Sequence, residues 1–415
     1  MATVFIGLSK HLRRFSTDQA GNVTIIFGLA LIPIIGFVGA SVDYSRANSA
    51  RAAMQSAVDA TALALAKDAG HLSSDELEAQ ASQRFSALFT RPETINVHVN
   101  AAYTPQEQSV TVSAEGSIRS TVLQTLGFGQ FEISTRSKAT YSYDGLGCVL
   151  ALDPKGSGAA TAQGSAIVNL KGCSLYDDSS NATALIAGGS AKISALSVGV
   201  VGGISGIASI ATTNGVRTGM TAVADPYVDV KLPPFSGCDQ RNFSSHTAVT
   251  INPGVYCGGM QLNANANVTL KPGLYYLDGG GLQVNGGATL TGDGVTLVFT
   301  SSSMGNWATA TINGGATVNL TPPATGPTVG IVMFGDRQAP VGTTYKFNGG
   351  ASQYFAGAIY FPTGAVNFSG GMSTSTSCTK IIADTITFSG NSDLAINCSR
   401  YNTKEFGLKL LTLSQ

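Results

Sequence analysis

The sequence predicts an N-terminal transmembrane helix, then a small α+β domain, then a domain that is mainly β. Three observations predict this order. An uncharged apolar run lies near the N-terminus, alternating apolar and polar residues follow an Ala-rich stretch, and the remainder carries most of the 50 Gly residues together with short repeats. For the β domain we expect a right-handed parallel β-helix (a solenoid) first and an irregular β-sandwich second.

We divide the chain of 415 residues into six segments, because a chain of this length usually holds more than one domain. The segments are a basic cytoplasmic leader (1–18), a transmembrane helix (19–42), a juxtamembrane Ala-rich helix (43–70), a small α+β domain (71–144), a Gly-rich β-solenoid domain (145–400) and a C-terminal cap (401–415).

The apolar run, residues 19–42, contains no charged side chain and lies between Asp18 and Asp43. A helix rises about 1.5 Å per residue, so a run of this length crosses a hydrocarbon core of about 30 Å. Membrane helices tolerate the internal Pro and Gly. The residues expected to anchor the chain include Gly21, Ile25, Phe27, Pro33, Phe37 and Val42.

Basic residues precede the run and a long chain follows it, so the positive-inside rule places the N-terminus in the cytoplasm and the bulk outside. The alternative is a cleaved secretory signal, in which Val38-Gly39-Ala40 would be the cleavage site. The length of the apolar run favours an uncleaved anchor, and the alternative stays open.

Residues 42–70 predict a helix that continues from the anchor, because the stretch is Ala-rich, lacks Pro and ends at Gly70. Small apolar residues recur at helical spacing and form a face suited to close packing. That face either binds a partner helix or packs on its own domain. Its members are Met54, Ala57, Ala60, Leu63 and Ala64.

The next segment predicts a sheet covered on one face by helices. Ser73 or Ser74 is a suitable N-cap for a helix that ends before Arg91-Pro92. Two alternating strands, a short helix and a third strand follow, up to residue 144.

From Gly145 onward, short β-branched runs alternate with Gly-rich turns, and one unit recurs. Its copies are VNGGATL at 284–290, INGGATV at 312–318 and FNGGASQ at 347–353. Repeats of this kind predict stacked layers of short strands joined by turns with positive φ.

Six cysteines follow the anchor, and none has the C-x-x-C spacing of a metal or redox site. An even number in an oxidising compartment favours disulfides, although sequence alone leaves the connectivity open. We expect sequential pairing: Cys148 with Cys173, Cys238 with Cys257, and Cys378 with Cys398.

Nothing in the sequence predicts catalysis, a cofactor or a metal site. The 24 basic and 24 acidic residues cancel, so there is no electrostatic signature of nucleic-acid binding. Asp153-Pro154-Lys155-Gly156-Ser157 resembles a metal-dependent adhesion motif, but Lys155 replaces an oxygen ligand, and we interpret the stretch as a turn. We interpret Gly292-Asp293-Gly294 as a β-turn as well.

The anchor and the helix after it resemble the N-terminal segment of TadG-like proteins of the tight-adherence (Flp) pilus system. The matching residues are Phe15, Asp18, Gly21-Asn22-Val23, Val42-Asp43-Tyr44 and the run from Met54 to Ala64. The resemblance implies a bacterial inner-membrane protein whose bulk lies in the periplasm or at the cell surface. It also implies that the protein serves pilus assembly, adherence or surface secretion.

Two departures from the family pattern matter. Many TadG-like proteins carry a von Willebrand-type domain with a metal site, whereas here the Gly-rich region takes its place. The related pseudopilins are cut after a Gly and have a Glu five residues later. Counting from Gly21 gives Ile26, which argues against prepilin cleavage and filament packing.

We therefore expect a structural envelope protein that contacts the inner membrane and other pilus-assembly proteins, with self-association possible and no nucleic-acid partner. The alternative is a surface adhesin or carbohydrate-binding protein, in which Tyr256, Tyr275, Tyr276 and Trp307 would stack on sugars. Aromatic residues in such a domain are more often part of the core, and the sequence favours that interpretation of these four. A polysaccharide-active β-helix enzyme is the least favoured, since no pair of acidic residues stands out.

Overall fold

The computed structural model of the protein describes residues 22–414, apart from 128, 144, 349–351, 370–377 and 396–397. The predicted leader and Gly21 therefore lie outside the described residues. The chain forms two compact units. The first unit contains the chain up to Ser142 together with the stretch from Lys409 onward, and the second unit is Tyr143–Leu408.

Two helices belong to the first unit. Helix α1 (Asn22–Ala66) runs without interruption through the predicted anchor and the Ala-rich stretch. Helix α2 (Ser74–Leu88) begins with a capping box. In this box Ser73 Oγ accepts a hydrogen bond from the Glu76 backbone N–H, and a Glu76 carboxylate oxygen accepts one from the Ser73 N–H.

Thirty strands are found in the described residues, and we number them in chain order. They are β1 (Thr94–Thr104), β2 (Ser109–Arg119), β3 (Gln130–Tyr143), β4 (Gly147–Ala151), β5 (Ala160–Ala162), β6 (Ile167–Lys171), β7 (Ser174–Asp177), β8 (Leu185–Ala187), β9 (Lys192–Ala195), β10 (Val198–Val200), β11 (Ile204–Ser205), β12 (Ile210–Thr212), β13 (Val216–Thr218), β14 (Gln240–Ser245), β15 (Ala248–Ile251), β16 (Gly254–Leu262), β17 (Asn267–Leu270), β18 (Gly273–Asp278), β19 (Gly281–Val284), β20 (Thr289–Gly292), β21 (Val295–Thr300), β22 (Thr309–Ile312), β23 (Thr317–Leu320), β24 (Ile331–Gly335), β25 (Thr343–Asn348), β26 (Ser352–Phe355), β27 (Gly357–Ser369), β28 (Thr379–Phe388), β29 (Ser392–Ala395) and β30 (Lys409–Ser414).

The sheet of the first unit has the strand order β1-β2-β3-β30, and its first three strands pair antiparallel. Its apolar core lies between the sheet and the two helices. Buried members of this core include Ala50, Met54, Val58, Leu77, Phe85, Val110 and Val112.

The C-terminal segment differs from the predicted cap. We expected residues 401–415 to cap the last layer of the solenoid domain, but Lys409–Ser414 forms β30 in the sheet of the first unit. Its LKLLTLS sequence offers backbone hydrogen bonds and apolar side chains that either location could use, so the local pattern does not decide between them.

The second unit consists of three ladders of parallel strands. The first ladder has the order β13-β10-β7-β4-β28-β27-β24-β21-β18-β16-β14. The second ladder contains the short strands β11, β8, β5, β25, β22 and β19, together with the second halves of β14, β16, β27 and β28.

The third ladder is found in two parts, β12-β9-β6-β29 and β15-β17-β20-β23-β26. Because β16 and β27 each pair with strands of both other ladders, eight strands are joined in a closed ring of parallel pairs. Apolar side chains from all three ladders share one core.

The order of strands in the first ladder is not the order of the chain. Strand β4, where the unit begins, pairs with β28, which lies near its end. The chain then runs from β13, at one end of the ladder, to β14, at the other. Residues 219–239, which we call the return segment, make this connection. Strands lie about 4.8 Å apart, so ten steps span about 48 Å, well within the reach of 21 extended residues.

The repeated sequence units occupy equivalent turns in successive layers. Asn313 Nδ2 donates to Asn285 Oδ1 at 3.0 Å, and Asn285 Nδ2 donates to Asn263 Oδ1 at 3.4 Å. The second Gly of two of these turns, Gly287 and Gly315, has a φ of 80°. The predicted turn conformation is therefore present, and a column of amide hydrogen bonds joins the turns.

Three disulfides join the cysteines in sequence order, Cys148–Cys173, Cys238–Cys257 and Cys378–Cys398. This is the pairing that the sequence favoured. The second bridge fixes the end of the return segment to β16. Closing a loop of about 20 residues removes conformational freedom from the unfolded chain and contributes on the order of 3 kcal/mol.

Candidate functional site

The first half of α1 is apolar and exposed. Val23 is 71 % exposed and Phe37 is 77 % exposed, and the predicted anchor residues Ile25, Phe27 and Val42 are exposed as well. By length and composition, this is the one helix in the described residues that is long and apolar enough to cross a membrane. Pro33 lies inside it.

Packing on the rest of the first unit begins at Gly39. This residue is buried, and a Cβ placed on it would collide with the side chain of Val122. Val122 belongs to the loop after β2. A larger residue at position 39 would push this loop away from the helix, so Gly39 permits the close approach.

Asp43, one helical turn later, is 1 % exposed and accepts four hydrogen bonds from the same loop. Its Oδ1 atom accepts from Thr121 N at 2.9 Å and from Thr121 Oγ1 at 2.5 Å. Its Oδ2 atom accepts from the backbone N–H groups of Val122 and Leu123, both at 2.9 Å. We call Gly39, Asp43, Thr121, Val122 and Leu123 the exit site.

The exit site favours an ionised carboxylate. Burial raises the pKa of Asp43, but the hydrogen bonds from Leu123, Thr121 and Val122 outweigh this and hold the pKa well below its usual range. Arg46 adds a positive charge, with its Nη1 atom 4.0 Å from Asp43 and 3.3 Å from Thr121 Oγ1. A buried carboxylate satisfied in this way rigidly joins the helix to the loop.

The predicted partner face of α1 is divided in the structure. Met54 and Ala57 are buried in the core of their own unit, Leu63 is partly buried, and Ala60 and Ala64 are exposed. The buried stripe instead runs through Ala47, Ala50, Met54, Val58, Thr61 and Leu65. The sequence interpretation placed the face about one position away at its C-terminal end.

The aromatic residues proposed to stack on sugars do not form an open platform. Tyr256, Tyr275 and Tyr276 are 2 %, 0 % and 6 % exposed. Tyr275 OH donates to the Lys271 carbonyl at 2.7 Å, so this ring serves the core and its hydroxyl the backbone. The three tyrosines are therefore core residues, as the sequence favoured, and of the four aromatic residues only Trp307 is partly exposed.

The stretch after β4 is a turn, as predicted. Asp153 Oδ1 accepts hydrogen bonds from the backbone N–H groups of Lys155 and Gly156, at 2.9 and 2.8 Å. The carboxylate is thus used to stabilise the turn. In the part of the chain that the structure describes, no three His, Cys, Asp or Glu side chains are grouped so that they could hold a metal ion.

Most of the exit site could not be recognised from the sequence. Asp43 was visible there as the charge that ends the apolar run and as part of the Val42-Asp43-Tyr44 match to TadG-like proteins. A signal for its partners was the Ser120-Thr121 pair at the end of a strand, but such pairs are common in loops. Since 78 residues separate Thr121 from Asp43, the contact depends on the tertiary fold.

These features define a class of protein in which one apolar, exposed helix segment continues directly into the core of a small α+β unit. Residues 21–81 match the family model described as putative Flp pilus-assembly TadE/G-like. The matched range includes Gly39 and Asp43, and the predicted resemblance to TadG-like proteins is confirmed over it. Searches of curated proteins and of solved structures found no match.

Proposed function

We propose that the protein is a membrane-anchored envelope component that acts structurally in assembly of the Flp (tight-adherence) pilus. The observation that carries the proposal is the TadE/G-like match at residues 21–81. It coincides with a helix whose first half is exposed and apolar and whose second half is built into a folded unit. We propose that the protein works through contacts with other pilus-assembly proteins and is not an enzyme.

Two features support an inside-to-outside topology in a bacterial inner membrane. Basic residues precede the apolar run, which favours an N-terminus in the cytoplasm. All six cysteines lie beyond the run and are paired in disulfides, which persist in oxidising compartments such as the periplasm.

We infer that the second unit is a parallel β-helix, which would offer long, regular surfaces to protein partners. Three ladders of parallel strands and their shared apolar core support this inference over a β-sandwich, whose sheets are typically antiparallel. The column of Asn residues, which repeats once per layer, supports it as well.

The test is deletion of the gene, with pili counted on the cell surface by electron microscopy. The intact gene should restore pili. A variant in which residues 144–408 are replaced by a short Gly-Asn linker retains β30 and should fail to restore them if the second unit is required. Normal pili after deletion would contradict the proposal. Carbonate extraction of the complemented strain should leave the full-length chain in the membrane pellet.

A second candidate function, binding of an uncharged glycan, is favoured by one groove on the second unit. The groove has a volume of about 410 Å³, and neutral side chains and glycines line it. Gln261, Gln283 and Thr311 stand in register on neighbouring strands. Amide and hydroxyl side chains both donate and accept hydrogen bonds, so they suit the many hydroxyl groups of a glycan.

Glycan binding can be tested on cell-wall and surface polysaccharides with the double variant Q261A/Q283A. The matched control is T269A/T291A, which alters an exposed in-register pair on the third ladder. Loss of binding in the first variant alone would support the function. The absence of binding by the unaltered protein would exclude it for the glycans tested.

A further inference from the structure

The exit site fixes where the loop after β2 lies relative to the apolar run. Val122 packs on Gly39, which is three residues before the end of the run at Val42. At about 1.5 Å per residue, this contact is about 4.5 Å inside the end of the apolar segment. A side chain at that depth lies at the boundary between the headgroups and the hydrocarbon if the run spans a membrane.

We propose that the loop formed by residues 120–127, the contact loop, lies on the lipid surface beside the emerging helix and holds the first unit against the membrane. The inference rests on the proposed membrane anchor. It goes beyond that anchor because a single helix followed by a free domain requires no second contact with lipid.

The composition of the contact loop fits a lipid interface. Val122 and Leu123 are partly exposed even though they lie beside the helix. Arg119, at the end of β2, is exposed, and Arg46 lies beside Thr121. Apolar side chains beside cations suit a surface where acyl chains meet phosphate groups.

The four hydrogen bonds to Asp43 make the contact obligatory. They hold the backbone of Thr121, Val122 and Leu123 directly to the helix. The loop therefore has to follow the helix to its depth in the bilayer. The Asp43 charge remains satisfied inside the protein, so approach of the lipid leaves no unpaired carboxylate.

Tryptophan fluorescence tests the proposal in the full-length protein. Trp307 is the only Trp in the chain, so a W307F background allows single reporters. The reporters are L123W and T125W in the contact loop. F37W in the apolar run is the positive control. Q108W, at the opposite end of β2 and about 36 Å from the loop, is the negative control. Each variant is reconstituted in phosphatidylethanolamine and phosphatidylglycerol vesicles that contain brominated acyl chains.

We expect brominated lipid to quench F37W most strongly and to quench both loop reporters at least twofold more than Q108W. Quenching of L123W and T125W at the level of Q108W, with F37W quenched, would overturn the contact loop and leave the anchor intact. If F37W were not quenched either, the anchor itself would be wrong. T125W replaces an exposed side chain, so it reports even if L123W disturbs packing.

Discussion

Asp43 shows how one residue can join the exposed apolar half of a helix to a folded unit. A buried carboxylate is costly unless donors surround it, and here three backbone N–H groups and one hydroxyl do so. An apolar residue at this position would leave those N–H groups without acceptors, and a lysine would lack acceptor atoms altogether. The charge therefore stabilises the fold at the point where the apolar run of α1 ends.

The first prediction concerns D43A, which removes the acceptor for three backbone N–H groups. We expect the opening free energy of the contact loop to fall by about 2–4 kcal/mol, because each unsatisfied buried donor costs about 1–3 kcal/mol and water reaches part of the loop. Hydrogen exchange of the Thr121–Leu123 amides measures the change.

The matched control for D43A is D59A. Asp59 lies on the same helix and accepts a single side-chain hydrogen bond, from Gln55. We expect D59A to change protection of the contact loop by less than about 0.5 kcal/mol. Equal protection in D43A and the unaltered protein would show that the loop is held by other contacts.

Asp178 provides the second prediction at this scale, a dependence of stability on pH. Burial, with help from the charges of Asp177 and Asp225, raises the pKa of Asp178 to about 7, although the Val223 N–H acts in the opposite direction. Because the folded pKa lies above the unfolded value of 3.8, the contribution of Asp178 to stability is greatest below pH 4. It is lost as the pH rises to about 7.

The variant D178N tests this prediction, since the Asn side-chain oxygen is still able to accept the hydrogen bond from Val223. Between pH 4 and pH 8, the free energy of unfolding of D178N should rise by on the order of 2–4 kcal/mol relative to that of the unaltered protein. Thermal unfolding at several pH values measures this difference. The control D229N changes an exposed carboxylate of the return segment and should keep the original pH slope. If the stability of D178N changed with pH as steeply as that of the unaltered protein, the raised pKa of Asp178 would be contradicted.

At the scale of elements, the return segment is the feature that fixes the strand order of the second unit. Arg337 forms hydrogen bonds with the middle of the return segment. The Nη1 atom donates to the Val230 carbonyl at 2.9 Å, and the Nη2 atom donates to the Tyr227 carbonyl and to Tyr360 OH. Tyr360 OH in turn donates to Asp225 at 2.7 Å. One arginine thus links two strand layers to the segment that crosses them.

We predict that R337A loosens the return segment and destabilises the second unit by about 2–3 kcal/mol, because hydrogen bonds from a charged donor contribute about 1.5–3 kcal/mol and the freed carbonyls regain only part of this from water. Trypsin should cut faster after Lys231, an exposed residue of the segment. The control R241A alters an exposed side chain on β14. Unchanged cleavage and unfolding in R337A would show that the Cys238–Cys257 disulfide and the contacts of Tyr227 and Tyr360 are enough to hold the return segment in place.

The local elements could be predicted from sequence, whereas the pairing of strands that are distant in the chain could not. The capping box at Ser73, the Asn-Gly-Gly turns and the alternation along β1 and β2 depend on residues close in the chain. The pairing of β4 with β28 depends on strands more than 200 residues apart whose compositions resemble those of every other strand. The return segment contains Pro226, Pro233 and Pro234 among its apolar residues, and no sequence pattern shows that it crosses from one end of the ladder to the other.

For the exit site the same distinction holds. The apolar run and Asp43 are visible in sequence, because their spacing is local. Thr121 and Val122 become partners only when the end of β2 is brought to α1. The three disulfides were predictable because sequential pairing matched the expected stacking of neighbouring layers, a case in which short separations in sequence and in space coincide.

At the scale of the whole molecule, the second unit is inserted between two adjacent strands of one sheet. The chain leaves the sheet at the end of β3 and returns to it at β30. Lys409 Nζ lies 4.7 Å from the centre of the Tyr141 ring, and Thr412 Oγ1 donates to the Thr140 carbonyl at 3.4 Å. The two connections are therefore close together, as is usual where a domain has been inserted.

This topology leads to the last prediction, that the first unit folds without the second. In a chain with residues 144–408 replaced by a short Gly-Asn linker, β3 and β30 should still pair, because a short turn is sufficient to join strands whose ends are adjacent. We expect cooperative unfolding and hydrogen-exchange protection of β1–β3 close to that of the full chain.

The matched control ends at Tyr143 and so lacks β30 as well. It should expose the outer edge of β3 and lose protection there, since an unpaired edge leaves backbone groups open to water. Equal loss in both variants would mean that the second unit is needed for the first to fold. Protection retained only with β30 would show that the C-terminal strand completes the sheet of the first unit.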